Sequence, residues 1–117
     1  MTSDRLLEAY RQAATIHGEA LEVGNARRCN KAYGELSRIR RELRRLGPEH
    51  LRKLLTLLDD ENVAVRRSAA ADALDFAPEE GLRVLREIAG GPETMVQFDA
   101  EMILTRWEAG EWQGGGW

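Results

Sequence analysis

The chain has 117 residues, 43% hydrophobic and 32% charged, with a formal net charge of −3. A length of this order suits one domain with a real core and is too short for two. Its single cysteine, Cys29, excludes an internal disulfide and a four-cysteine zinc site.

The opening MTSDRLLEAYRQ carries Asp4, Arg5, Glu8 and Arg11, so it lacks the basic-then-apolar order of a signal peptide. No apolar run approaches the roughly 20 residues of a membrane span. The expectation is a soluble, cytoplasmic protein. Charge is unevenly spread: −2 over residues 1–23, +7 over 24–53 and −8 over 54–117. Fields reach only about 8–10 Å at ordinary salt, so this local asymmetry governs partners more than the total does.

In the first segment, Leu6, Tyr10, Ala13, Ala14, His17 and Leu21 recur at helical spacing after a cap at Ser3, with Gly18 weakening the pattern. The second helix carries Ala26, Cys29, Tyr33, Leu36, Ile39, Leu43 and Leu46 on one face and ends at Gly47-Pro48. Pro48 opens a third helix with Leu51, Leu54, Leu55 and Leu58 inward, stopped by the polar run DDEN. Asn62 caps a fourth, NVAVRRSAAADAL, whose face of Val65, Ala69, Ala73 and Leu74 is small. Alanines at successive turns predict close approach to two neighbouring helices. After FAPEE, Pro78 starts a fifth helix with Leu82, Leu85 and Ile88 inward. After GGPE, Met95, Val96, Ala100, Ile103, Leu104 and Trp107 form the sixth. No strand-type alternation occurs.

A shift of 31 residues places Leu51 on Leu82, Leu54 on Leu85, Val65 on Val96 and Ala69 on Ala100. Apolar matching at both helices of a hairpin predicts an all-α, right-handed α-solenoid in which no unit buries its face alone. Its hairpins span roughly 4–46, 48–75 and 79–109 of a single domain over 1–112, with the Gly-rich residues 113–117 as a flexible tail.

The stretch DDENVAVRRSAAADAL resembles the turn and second helix of a HEAT repeat, with Asp60, Val65 and Arg66 on its pattern. The resemblance implies a structural role for Asp60 and Arg66 in an inter-repeat polar ladder. The next hairpin departs from it, with Gly91 and Gln97 at the corresponding places, so no continuous ladder is expected. Taken in order, CNKAYGELSRIRREL, LLTLLDDENVAVRRSAA, LDFAPEEGLRVLREIA and AEMILTRWEAGEW resemble a small bacterial HEAT-like (armadillo-type) family catalogued as a domain of unknown function. The resemblance covers most of residues 5–112. Small proteins of this sort resemble immunity partners that neutralise bacterial toxins, which implies a cognate toxin as partner.

Neither catalysis nor a bound cofactor is expected. His17 and His50 lie on different helices outside any metal-ligand spacing such as HExxH. They read as a boundary residue and a helix-start surface group, and Cys29 as a small core residue. Asp59, Asp60 and Glu61 form a solvated turn without a calcium-loop glycine. GGGW lacks the strand, lysine and helix of a phosphate loop.

Two charged surfaces remain. Arg27, Lys31, Arg38, Arg41 and Arg45 share the polar face of the second helix, a stripe able to track phosphates. Glu35 and Glu42 flank it, and no aromatic residue is interleaved for base stacking. On the anionic side, Asp72, Asp75, Glu79, Glu80, Glu101, Glu108 and Glu111, with Trp112 as an aromatic anchor, are expected to meet a basic protein surface. Trp107 fits the apolar face of the sixth helix. The leading expectation is a non-catalytic, immunity-type protein that occludes a toxin. Nucleic-acid binding through the arginine face and a structural scaffold subunit are the alternatives.

Overall fold

The computed structural model describes residues 2–112, and the tail expected at 113–117 lies outside them. Among the described residues all regular structure is helical, with no strand. Six α-helices follow in order: α1 Ser3–Val23, α2 Ala26–Leu46, α3 Pro48–Leu51, α4 Val63–Ala73, α5 Pro78–Ala89 and α6 Met95–Glu108. A 3₁₀ segment, η1, spans Arg52–Asp59 between α3 and α4. The third helix therefore changes winding after one turn. Three residues per turn align Leu54 with Leu57, both buried, which a 3.6-residue turn does not.

Side-chain caps start most of these helices. Asn25, Asn62 and Thr94 each accept a backbone N–H from the first turn of α2, α4 and α6. The cap of α1 is Thr2, bonded to Arg5 N, one residue before the expected Ser3. Ser3 is instead buried, its Oγ 2.7 Å from Lys53 Nζ. The start of α6 also receives Glu22, whose carboxylate accepts from Met95 N at 2.8 Å and Val96 N at 3.0 Å. That contact ties the end of α1 to the start of α6 and places negative charge at a helix N-terminus.

The alanine-rich α4 is the centre, packed by α1, η1, α5 and α6. Two glycines let its neighbours close on it. A Cβ on Gly18 of α1 would lie 2.3 Å from Ala64 Cβ, and one on Gly81 of α5 would lie 2.6 Å from the Ala70 carbonyl. Gly18 thus weakens α1 locally while allowing close approach of α4 at Ala64. One continuous apolar cluster joins Leu6, Tyr10, Ile39 and Leu43 to Leu54, Val65, Leu85 and Ile103.

Burial agrees across the 31-residue offset: Leu54 and Leu85 at 0%, Val65 at 0% with Val96 at 2%, and Ala69 and Ala100 at 0%. Leu51 and Leu82 are both half-buried, and Val84 and Gly81 take the inward positions of α5 beside Leu85 and Ile88. Three residues expected on apolar faces are exposed: Ala26 at the start of α2, Tyr33 at 49% and Met95 at 43%. Leu55, Leu104 and Trp107 are half-buried and pack against the core.

Asp60 lies in the turn before α4 and Arg66 in the first turn of α4. The Asp60 carboxylate takes Arg11 Nε of α1 at 2.5 Å and Asn62 N at 2.9 Å. Arg66 donates to the carbonyls of Asp60 at 2.6 Å and Glu61 at 3.1 Å. At the corresponding place in α6, Gln97 Nε2 donates to the Ala89 carbonyl at 2.9 Å, so an amide substitutes for the guanidinium.

Candidate functional site

A groove of about 470 Å³ lies among α1, α2, α4 and α6. Helix α1 supplies Tyr10 and His17, α2 supplies Cys29, Tyr33, Leu36 and Arg40, and α4 supplies Arg67, Ser68 and Asp72. Asp99, Met102, Ile103 and Arg106 enter from α6, and Trp112 closes the lining just beyond it. The floor is charged, although it lies inside a helical core.

Two guanidiniums organise that floor. Arg40 Nη1 lies 2.7 Å from Asp72 Oδ1, and Arg40 Nη2 is 3.1 Å from Ser37 Oγ. Tyr10 Oη donates to the other Asp72 oxygen at 2.5 Å. Burying such a pair costs several kcal/mol per ion, as an order of magnitude, and short, multiply bonded geometry offsets that cost. Burial raises the Asp72 carboxyl above its ordinary range, and Arg40 and Tyr10 oppose the rise without cancelling it. Burial and the adjacent carboxylate push the Tyr10 phenol well up, so it stays a donor.

The second guanidinium, Arg67, is 7% exposed. Its Nη2 lies 2.7 Å from His17 Nδ1 and its Nη1 lies 3.3 Å from Asp99 Oδ2. A guanidinium only donates, so His17 Nδ1 accepts and the ring proton resides on Nε2. Burial, helped by Arg67, lowers the His17 pKa to about 4 and keeps the ring neutral. Cys29 is half-buried at the same groove, its thiol pushed up by burial, which disfavours the thiolate a nucleophile needs.

Along this lining Arg67 Nε, Ser68 Oγ and Trp112 Nε1, each able to donate, have no hydrogen-bond partner among the described residues. Buried polar groups are ordinarily satisfied, so three such orphans able to donate in one groove are unusual.

The structure redistributes the residues named from the sequence. Asp72 is corrected outright: expected on an exposed acidic face, it is 5% exposed and bound to Tyr10 and Arg40. Asp75, Glu79, Glu80, Glu101, Glu108 and Glu111 are exposed. Trp112 packs against the core cluster and faces the groove, rather than standing free. His17 is buried and Cys29 is half-buried beside it, while half-buried His50 contacts Glu49 at 3.7 Å. On α2, Arg27, Lys31, Arg38, Arg41 and Arg45 are all exposed, and Glu35 and Glu42 pair with Arg38 and Arg45. The stripe therefore presents less positive charge than its arginines suggest. Among the described residues no group of three or more His, Cys, Asp or Glu side chains is placed to hold a metal ion.

The sequence reading passed over Arg40, Arg67, Ser68 and Asp99. A signal was present for one pair: Arg40 lies between Leu36 and Leu43, and Asp72 lies one turn from Ala69, each on a core-facing line. Opposite charges at core positions of two helices point to one another, because neither is tolerated unpaired.

No helix of the described residues is long and apolar enough to cross a membrane. No curated protein and no solved structure matches the chain. The family model described as "Domain of unknown function (DUF2019)" matches residues 4–108, nearly the whole chain, which therefore belongs to that family.

Proposed function

We propose that the protein is a non-catalytic protein-recognition module of HEAT-like architecture, with helical hairpins at roughly 4–46, 48–75 and 79–109. Matched burial across the 31-residue offset supports that architecture. The observation that carries the recognition role is the groove's rim. Tyr33 and Met102 line the groove and are 49% and 40% exposed, and Phe98, one turn before Met102 on α6, is 51% exposed. Aromatic and methionine side chains around a concave site are the composition of an interface core, and methionine adapts to a partner's shape.

Within this reading the partner is a bacterial toxin with a basic surface. The groove rim supplies apolar anchorage, and exposed Asp75, Glu79, Glu80 and Glu101 speed encounter and reject acidic competitors. Inhibition then consists of covering the toxin's active or target-binding surface, in the cytoplasm of the producing cell.

The test is site-specific photo-crosslinking of the full chain in its own cell lysate, before and after nuclease treatment. A photoreactive residue replaces Tyr33, Met102 or Glu79 in turn. One stoichiometric protein crosslinked from Tyr33 and Met102, unaffected by nuclease and neutralised on mixing, is the expected result. Crosslinks from Glu79 alone would transfer recognition to the acidic face. Recovery of nuclease-sensitive nucleic acid alone would overturn the reading in favour of the α2 arginine stripe, and self-crosslinking alone would favour a scaffold subunit.

A further inference from the structure

Arg67 Nε, Ser68 Oγ and Trp112 Nε1 along the groove lining are buried, have no hydrogen-bond partner among the described residues, and can each donate. Arg67 and Trp112 can only donate, and Ser68 has a free hydroxyl proton to direct. Both α4 residues are themselves buried, Arg67 at 7% and Ser68 at 4% exposure. The lining also holds three guanidiniums, Arg40, Arg67 and Arg106, against two carboxylates, Asp72 and Asp99. His17, Cys29 and Tyr10 add no charge, so the groove has an excess of one positive charge. Asp72 is fully engaged by Tyr10 and Arg40. Asp99 pairs with Arg67 at 3.3 Å, and its side chain is 37% exposed. Around this polar strip stand Leu21, Leu36, Tyr33, Met102 and Ile103.

We propose that the groove is a binding site for a carboxylate carried on an aromatic or aliphatic body, with Arg67, Ser68 and Trp112 as its donors and Arg106 at its rim. A carboxylate is a monoanion with two acceptor oxygens, so it matches both the single excess charge and the cluster of donors. The apolar walls take the body that carries it. The inference deepens the protein-recognition reading by naming the chemistry of the group inserted, an acidic residue of the partner beside an apolar one. A small free organic acid shares that chemistry.

The experiment is an NMR titration of the isotope-labelled full chain, following Arg67 Nε–H, Trp112 Nε1–H and the Ser68 amide. Three probes are added separately: phenylacetate, its neutral isostere phenylacetamide, and the terminally blocked dipeptide Ac-Phe-Glu-NH₂. Phenylacetate is expected to shift all three signals, saturating with Kd on the order of 1 to 10 mM, as befits a fragment of this size. Phenylacetamide should bind at least about tenfold more weakly, since it lacks the charge.

Trp112→Phe keeps the ring and removes one orphan donor, so it should fold normally and weaken phenylacetate about fivefold, the worth of one hydrogen bond. Tighter binding of the dipeptide than of phenylacetate assigns the carboxylate to a partner chain, and binding of phenylacetate alone assigns it to a small acid. Equal binding of acid and amide, an unchanged affinity in Trp112→Phe, or shifts confined to other residues would each overturn the proposal. Those outcomes leave the protein-recognition reading standing, because crosslinking tests it without any probe acid.

Discussion

Arg40 of α2 and Asp72 of α4 are 32 residues apart in the chain and meet at 2.7 Å, both almost fully buried. Tyr10 of α1 bonds the same carboxylate, so one ion pair joins three helices beneath the groove. Removing either charge strands the other in the core. Arg40→Met or Asp72→Asn is expected to cost about 3–5 kcal/mol. Tyr10→Phe, which leaves the pair intact, should cost about 1–3 kcal/mol. Urea unfolding of the single variants and of Arg40→Met/Asp72→Asn measures the coupling, expected at about 2 kcal/mol. Additive losses would show that the two residues act independently.

Gly18 and Gly34 occupy helix interiors, yet substitution should move stability in opposite directions. Gly18→Ala drives a methyl to 2.3 Å from Ala64 Cβ and is expected to destabilise by about 1–3 kcal/mol. Outside the backbone of α2 itself, no atom of the described residues lies within 4 Å of a Cβ on Gly34, so Gly34→Ala should stabilise α2 by about 0.5–1 kcal/mol. Thermal melts of both variants, run together, check the sign.

His17 makes stability pH-dependent. Its folded pKa is about 4 against an ordinary 6.5, so between those values the unfolded chain holds a proton that the folded chain refuses. Its contribution is thus complete above pH 6.5 and is lost as pH falls toward 4, with an upper bound of about 3 kcal/mol. The slope of unfolding free energy against pH should flatten across that window in His17→Gln. An unchanged slope would assign the acid sensitivity to carboxylates.

The turn before α4 gives a fourth expectation. Asn62→Ala removes the cap that accepts from Ala64 N and should cost about 1 kcal/mol. Asp60→Asn weakens the bond to Arg11 and should cost less than about 1 kcal/mol, because Arg11 is 43% exposed. Both losses are read from chemical denaturation, and a larger effect of Asp60→Asn would raise the weight of the α1 contact above that of the cap.

How much was legible without tertiary structure differs by element. The breaks at Gly47-Pro48, DDEN, FAPEE and GGPE, the Asn62 cap and the six-helix count follow from local chemistry: ring closure at proline, side-chain acceptors at helix starts and apolar periodicity. Helix α4's small face, packed on both sides, was legible for the same reason. The 3₁₀ winding of η1, the burial of Asp72, the exposure of Tyr33 and the value of Gly18 were not. Each depends on which surface another helix presents, and a residue's own neighbours in sequence do not specify that. The groove belongs to this second class. Arg40, Arg67 and Asp72 each read alone as ordinary charges on amphipathic helices, and only the packing of α1, α2, α4 and α6 removes their water and makes them one polar floor.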